Sequence, residues 1–282
     1  MNKIIRYNNA DIFYRIEGKG QPVLLIHGFG EDGTIWDKQV RELKENYQLI
    51  IPDLPGSGKS SSMNQECSME SMAECIHHII KFEFGNLYTS EPVKNHLILI
   101  GHSMGGYITL AYVEKYHEQV KAFGLFHSTT YADTEAKKEA RLKSIRFIQQ
   151  NGAAKFIEQS IPSLFSEPFK KKNPPIVEEL VQRYTNFSAE ALVQYYDAMI
   201  KRSDRTILLK AFKKPILFII GEHDTAIPLE HSLQQCHLPD VAYIQLLQNS
   251  GHYGMLEEPN KATDFLKKFL AEIETVKSKH AL

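Results

Sequence analysis

A serine between two glycines, placed directly after an apolar run, constrains this 282-residue chain more than any other segment. The run is Leu97-Ile98-Leu99-Ile100, and the pentapeptide that follows it is Gly101-His102-Ser103-Met104-Gly105. This GxSxG pattern is typical of a serine on a tight turn between a buried strand and a helix. Residues two positions away on either side must lack side chains, because a Cβ atom there would collide with the strand or the helix. On its own, the pentapeptide also fits an ordinary glycine-rich turn.

The ends of other apolar runs carry residues that a reactive serine requires. His27-Gly28-Phe29-Gly30 follows the run 22–26, and Gly221-Glu222-His223-Asp224 follows the run 215–220. Near the C-terminus, Ser250-Gly251-His252 follows a further predicted strand. A serine hydroxyl needs a base to become nucleophilic, and the base needs an orienting partner. The order serine, aspartate, histidine along the chain matches one of the common serine-hydrolase arrangements.

Strands and helices alternate along most of the chain, which predicts a mostly parallel sheet with helices on both faces. Between residues 128 and 214 the pattern changes to charged helical segments without an obvious strand, which predicts a helical cap over the carboxyl edge of the sheet. We predict strands at 4–7, 12–16, 23–26, 47–51, 97–100, 120–126, 215–220 and 242–247. We predict helices at 34–43, 68–84, 106–113, 134–150, 153–159, 175–186, 189–201, 229–236 and 260–276, and a surface loop at 85–95.

These motifs and their order resemble the α/β-hydrolase superfamily, and most closely its small cap-bearing esterases, lactonases and carbon–carbon bond hydrolases. The resemblance covers nearly the whole chain. It implies the α/β-hydrolase fold, with a mostly parallel sheet of about eight strands and helices on both faces. Residues 1–127 and 215–282 would form the core, and residues 128–214 would form the inserted helical cap, or lid.

The chemistry of the constellation assigns a role to each motif. Ser103 is the predicted nucleophile, His252 the general base, and Asp224 the residue that orients the imidazole. The backbone N–H groups of Phe29 and Met104 form the predicted oxyanion hole. Related folds with an aspartate nucleophile carry out dehalogenation or epoxide opening, and the serine at position 103 argues against both reactions.

Other residues near these motifs compete for the same roles. Asp53 and Asp133 are alternatives to Asp224, whose position at a strand end favours it. His27 and His102 adjoin the motifs, and we predict that they shape the turns rather than act as bases.

Two patterns that suggest a bound ligand are incomplete. Gly58-Lys59-Ser60 imitates the end of a phosphate-binding P-loop, but Asp53 stands where the motif needs a glycine, and Pro55 lacks an N–H. His77 and His78 are adjacent, so on a helix they do not share a face, and no metal-ligand pattern surrounds them. We therefore predict a structural turn at residues 53–60, no cofactor and no metal.

Composition limits the classes of partner and the cellular compartment that we expect. The formal charge of −1 provides no general field for nucleic acid. Three cysteines are too few for a disulfide framework and fit a reducing compartment, so we expect a cytoplasmic protein. No run reaches the roughly 18 apolar residues that a membrane span requires. The oligomeric state stays open.

The leading functional hypothesis is hydrolysis of a small or medium carboxylic ester, with an apolar acyl or alcohol part, through an acyl-enzyme on Ser103. The same triad would serve cleavage of a carbon–carbon bond, a lactone or an amide, because the contacts that separate these substrates lie in the cap. A hydrolase-fold binding protein without turnover is the alternative from another class. We expect these side chains to line the pocket or the cap: Phe29, Met104, Phe126, Phe165, Phe169, Tyr195, Tyr196 and Met199.

Overall fold

The computed structural model describes residues 1–63, 66–85 and 96–279. Its centre is an eight-stranded sheet with the strand order β1-β2-β4-β3-β5-β6-β7-β8. The two β2 pairings are antiparallel, and all the other neighbours in the sheet are parallel. The strands are β1 Asn2–Tyr7, β2 Ala10–Glu17, β3 Gln21–Ile26, β4 Tyr47–Pro52, β5 Leu97–His102, β6 Val120–Phe126, β7 Ile216–Gly221 and β8 Ala242–Leu247. The predicted α/β-hydrolase architecture and strand count are confirmed.

Helices cover both faces of the sheet, which explains why the central strands are continuous apolar runs. α2 and α3 pack on one face, and α1 and α11 pack on the other. The helices within the described residues are α1 Asp37–Leu43, α2 Met69–Phe84, α3 Met104–Tyr116, α4 Glu135–Leu164, α5 Glu167–Lys172, α6 Pro174–Tyr184, α7 Ala189–Lys201, α8 Ile207–Ala211, α9 Leu229–Cys236, α10 Gly254–Glu257 and α11 Pro259–Lys279. The predicted surface loop lies, except for Gly85, outside the described residues.

The first two strands form a hairpin whose turn follows from its sequence. Asn8 and Asn9 have φ angles of 45° and 62°, in the left-handed region that asparagine tolerates best after glycine. The register pairs Tyr7 with Ala10, so the turn has only these two residues at its tip. The predicted Asn8-Asn9 turn is confirmed.

Between β6 and β7 the chain forms five helices, α4 to α8, which we call the inserted helices. Two predicted segments join in α4, where Gly152 (φ 85°, ψ 165°) interrupts the helical backbone at the predicted boundary. α5 and α8 were not predicted, because their six and five residues are too short for a helical repeat to be recognised. α4 packs on both α6 and α7, and α5 packs on α6, so α4 to α7 form one packed group.

Candidate active site

The residues selected from the sequence lie at the carboxyl ends of neighbouring parallel strands. Ser103 directly follows β5, Asp224 lies shortly after β7, and His252 lies shortly after β8. The segment 27–30 follows β3, which is paired with β5. Ligands of open α/β sheets bind at this edge, so the fold itself brings the four segments together.

The turn at Ser103 is strained in the way that the GxSxG pattern requires. Ser103 has φ 50° and ψ −115°, a conformation that side-chain-bearing residues rarely adopt. A Cβ atom on Gly101 would overlap the backbone of Gly105, and one on Gly105 would overlap the carbonyl groups of Ile26 and His27. Both glycines are therefore needed for α3 to start this close to β3 and β5.

Asp224 holds the His252 ring through a buried contact. His252 Nδ1 lies 2.8 Å from Asp224 Oδ2. The other oxygen, Oδ1, accepts the N–H groups of Ala226 and Ile227 at 2.8 and 2.9 Å. Burial alone would raise the pKa of Asp224, but the two histidines beside it outweigh burial and hold the pKa well below its usual range. The carboxylate therefore stays ionised, and its orientation is fixed.

A second histidine, His127, also contacts Asp224 and was not selected from the sequence. Its Nδ1 lies 3.1 Å from Asp224 Oδ2, and its Nε2 accepts the Gly254 N–H at 3.2 Å. Burial lowers the pKa of His127 to about 4, more than the nearby carboxylate raises it, so the ring is neutral. Since Nε2 is an acceptor, the proton is on Nδ1, and His127 donates to Asp224. His127 directly follows β6, and the same strand-end position that selected Ser103 could have identified it.

His102 and Glu31 form a buried ion pair beneath the site. His102 Nδ1 lies 3.0 Å from Glu31 Oε2, and its Nε2 lies 3.0 Å from the His252 carbonyl oxygen. Both partners accept hydrogen bonds, so the ring donates from both nitrogens and is an imidazolium. Burial opposes both charges, yet the mutual attraction raises the pKa of His102 and lowers that of Glu31. Glu31 Oε2 also accepts the Gly28 N–H at 2.9 Å, so the pair connects three segments of the site.

His27 and the 53–60 loop have structural contacts. His27 Nε2 accepts the Leu54 N–H at 2.9 Å, and Nδ1 donates to the Gly28 carbonyl oxygen at 2.8 Å. Asp53 accepts the N–H groups of Gly33 and Lys59, each at 2.9 Å. Neither His27 nor Asp53 contacts Ser103 or His252 in these hydrogen bonds. The structure thus places this loop as a turn that supports the segment after β3.

Two backbone N–H groups beside Ser103 donate no hydrogen bond within the part of the chain that the structure describes. Met104 is the first residue of α3, so its N–H has no intrahelical partner. The Phe29 N–H donates no hydrogen bond to any described residue. The loop of Phe29 lies against the serine, because a Cβ atom on neighbouring Gly28 would come within 3.1 Å of Ser103 Cβ. These two groups are the ones selected from the sequence for an oxyanion hole.

Ser103 and His252 line one cavity of about 300 Å³. Within the described residues, the Ser103 hydroxyl makes no hydrogen bond to the His252 ring. Catalytic hydrogen bonds are often long in proteins without substrate and shorten when substrate binds. The cavity lies between the segment after β3, the start of α3 and the inserted helices. Its wall includes Phe29, Gly30, Glu31, Tyr107, Lys137, Arg141, Ser144, Phe156, Ile157, Ser160, Leu164, Tyr196, Met199, Ile227 and Tyr253.

Only some of the predicted lining residues reach this cavity. Phe29, Tyr196 and Met199 line it, and Phe29 stacks on Tyr196 with a centroid separation of 4.3 Å. The other five predicted side chains do not line the cavity. Three of them are buried in the apolar core, and two stack on each other. These residues are Met104, Phe126 and Tyr195, and the stacked pair Phe165 and Phe169.

One group of side chains within the described ranges has the composition of a metal site. The ligand atoms of His127, Asp224 and His252 lie within 4.8 Å of one another. Each histidine, however, directs Nδ1 at the same carboxylate oxygen, Oδ2. These contacts leave no common point to which all three could direct a lone pair, so the residues fit a hydrogen-bonded chain better than a metal site.

Comparisons with a family model and with known proteins point to the same family. Residues 21–259 match the family model of the alpha/beta hydrolase fold. Lipase 1 of Psychrobacter immobilis is 26% identical over 261 residues, which are 90% of this chain and 78% of the lipase. The (E)-2-((N-methylformamido)methylene)succinate hydrolase of Acinetobacter baylyi is 25% identical over 273 residues, 93% of this chain and 95% of that protein.

Comparison with solved structures leads to the same fold. A thermophilic esterase from Thermogutta terrifontis superposes with a TM-score of 0.86 and 26% identity, over 97% of this chain and 99% of the esterase. The enol-lactonase from Burkholderia xenovorans gives a TM-score of 0.84 at 18% identity, over 95% of this chain and 100% of the lactonase, which shows a shared fold. None of the helices within the described residues has the length and apolar composition to cross a membrane. The matched family model covers most of the sequence, and the chain belongs to the α/β hydrolase fold family of hydrolases.

Proposed function

We propose that this protein is a serine hydrolase that cleaves a small or medium carboxylic ester through Ser103, His252 and Asp224. One observation carries the proposal: the strained Ser103 and His252 line the same cavity at the carboxyl edge of the sheet, and the buried Asp224 contacts the His252 ring from behind. The backbone N–H groups of Phe29 and Met104 beside the serine support it, because a tetrahedral intermediate needs such donors.

The proposed reaction proceeds in two halves. His252 Nε2 takes the proton of the Ser103 hydroxyl while Oγ attacks the ester carbonyl carbon. The carbonyl oxygen becomes an oxyanion that accepts hydrogen bonds from the N–H groups of Phe29 and Met104. The intermediate collapses, the alcohol leaves with the proton from His252, and the acyl group stays on Ser103. Water then gives a proton to His252 and attacks the acyl carbon. The bond between the acyl carbon and Oγ breaks, Oγ takes the proton back from His252, and the acid is released.

The neighbouring histidines have positioning roles in this proposal. Asp224 keeps the His252 proton on Nδ1, so that Nε2 is free to accept the serine proton. His127 donates a further hydrogen bond to Asp224 and restricts the position of the carboxylate. His102 contacts the His252 carbonyl oxygen and thereby fixes the backbone that carries the base.

We also propose that residues 128–214 act as a cap over a core formed by residues 1–127 and 215–282. Side chains from α4 and α7 line the cavity opposite Ser103, which supports this division. A cavity of about 300 Å³ favours substrates of modest size.

Hydrolysis of p-nitrophenyl butyrate tests the proposal. Ser103→Ala should abolish turnover while the thermal unfolding temperature changes little. Ser160, a second serine on the cavity wall, provides the matched comparison, and Ser160→Ala should retain turnover. Near-wild-type activity in Ser103→Ala would rule out this nucleophile. A panel of esters, lactones, amides and β-diketones separates the substrate classes, and a folded protein inert to all of them would favour a binding role.

A further inference from the structure

The cavity that contains Ser103 carries an excess of positive charge on its inserted-helix side. The charged side chains on its wall, apart from His252, are Glu31, Lys137 and Arg141. Glu31 is already paired with the His102 imidazolium. The two cations therefore face the cavity without an anion of the cavity wall to balance them.

The positive charge of Arg141 is only partly balanced by its carboxylate partner, Asp133. Asp133 contacts Arg141 Nε at 2.6 Å and Arg202 at 2.9 Å, so two guanidinium groups share one buried carboxylate. Arg202 also donates to the carbonyl oxygens of Met199 and Tyr131, which leaves it well satisfied away from the cavity. Asp133 accepts from Nε and Nη2 of Arg141, and no described residue accepts from the N–H groups of Nη1, so these can bind another acceptor.

Lys137 adds a second cation one helical turn away. Its Nζ donates to the Ala226 carbonyl oxygen at 2.8 Å, and within the described ranges it contacts no carboxylate. Lys137 and Arg141 are four residues apart in α4, so they are neighbours on one face of that helix. Like charges at this spacing repel each other, and burial makes an unbalanced charge more costly. The Arg141 side chain is only 13% exposed, so bulk water cannot screen it fully.

Aromatic contacts connect Arg141 to the proposed oxyanion donor at Phe29. The Arg141 guanidinium lies 5.5 Å from the centroid of the Tyr196 ring, and Tyr196 stacks on Phe29. Phe29 supplies one of the proposed oxyanion donors. A substrate whose carbonyl oxygen lies at Phe29 would extend past Tyr196 towards the two cations.

We propose that Lys137 and Arg141 form an anion subsite, and that the substrate is an ester whose acyl part ends in a carboxylate. The inference rests on the proposed ester hydrolysis at Ser103 for its catalytic half. The subsite itself would bind a carboxylate whether or not turnover follows. A carboxylate there would accept charge-assisted hydrogen bonds from both side chains and remove their mutual repulsion.

Two esters of the same length test the proposal. In p-nitrophenyl hydrogen succinate the acyl chain ends in a carboxylate, and in p-nitrophenyl 4-oxopentanoate it ends in a neutral ketone. We expect kcat/KM to favour the anionic ester by at least about tenfold in the wild type. Arg141→Met and Lys137→Met should each reduce that preference at least about fivefold, because kcat/KM falls more for the anionic ester than for the neutral one.

A control variant separates local contacts from general charge. Lys143 is exposed on the same helix and does not line the cavity, so Lys143→Met removes the same charge and should keep the preference. Arg141→Met leaves Asp133 paired with Arg202, and Arg141→Lys, which retains the charge without the planar fork, provides a second variant if the first does not fold. Equal turnover of the two esters in the wild type, or a preference unaffected by Arg141 and Lys137, would overturn the anion subsite.

A binding measurement keeps this test separate from the proposed catalysis. In Ser103→Ala protein, ethyl hydrogen succinate should bind at least about tenfold more tightly than ethyl 4-oxopentanoate, and Arg141→Met should remove the difference. If neither ester is hydrolysed by the wild type but this binding preference is observed, the proposed function fails and the subsite stands. Equal binding of both compounds would overturn the subsite regardless of turnover.

Discussion

Replacing Asp224 with asparagine should inactivate the protein through the tautomer of His252, and the contacts of Asp224 determine why. An asparagine could direct its amide oxygen to either side of the site. With the oxygen in place of Oδ1, it still accepts the N–H groups of Ala226 and Ile227. Its NH2 group then faces the Nδ1 atoms of His252 and His127.

The opposite orientation of the asparagine amide costs more free energy. It would direct the NH2 group at two backbone N–H donors, leaving both without an acceptor at about 1–3 kcal/mol each. The first orientation leaves one donor conflict, with His127, because His252 can move its proton to Nε2. That proton shift removes the atom that must accept the serine proton, so the favoured orientation is also the inactive one.

We expect kcat/KM for p-nitrophenyl butyrate to fall by about 10⁴-fold, as in other triads that lose their aspartate. Nitrogen NMR of His252 should show protonation on Nε2 in Asp224→Asn and on Nδ1 in the wild type. Glu222 is exposed two positions earlier, so Glu222→Gln removes the same charge and should retain activity. A loss below about tenfold, or an unchanged His252 tautomer, would refute this reasoning.

Three further predictions follow from the same contacts. Gly105→Ala should reduce the free energy of unfolding by about 1–3 kcal/mol and abolish esterase activity, because its Cβ would overlap the Ile26 and His27 carbonyl groups; a variant with wild-type thermal stability and turnover would contradict this. His127→Phe should lower kcat about tenfold with little change in KM, since it removes one hydrogen bond to the Asp224 carboxylate; an unchanged kcat would show that His127 has no positioning role. Glu31→Gln should destabilise the protein by about 3–5 kcal/mol at mildly acidic pH, and urea unfolding across a pH series measures this. The pKa of Glu31 is lowered in the folded protein, so its contribution to the free energy of unfolding is present above pH 4.5 and is lost in more acidic solution. The pKa of His102 is raised, so its contribution is present below pH 6.5 and is lost as pH rises further. The difference in stability between variant and wild type should therefore be largest between these two pH values. A difference that is independent of pH would contradict the ion pair.

The strand ends could be predicted from the sequence because their causes are local. Gly101 is required by a close contact with the backbone of Gly105 in the same turn, and the apolar runs before Ser103 and Asp224 report burial on both faces of a sheet. Gly105 is visible through the same short GxSxG pattern, although its close contact is with the end of β3. The sheet then aligns those ends without further information, since parallel neighbours end at one edge.

The remaining features depend on contacts between distant segments. His127 follows a predicted strand, but its contact with Asp224, 97 residues away, is not indicated by any repeat or spacing in the sequence. Tyr195 and Tyr196 are adjacent, yet the first donates to the Pro55 carbonyl oxygen in the core and the second lines the cavity. Which of the two aromatic rings faces Ser103 is decided by how α7 packs on α4, which the sequence pattern of either helix does not determine.

Reaction with a fluorophosphonate followed by mass spectrometry tests the central claim most directly. The folded wild-type protein should gain one phosphonyl group, located on the peptide that contains Ser103. His252→Ala should react far more slowly, because the serine would lose its base. A folded protein that gains no adduct, or one modified at a different serine, would contradict the proposal that Ser103 is the activated nucleophile.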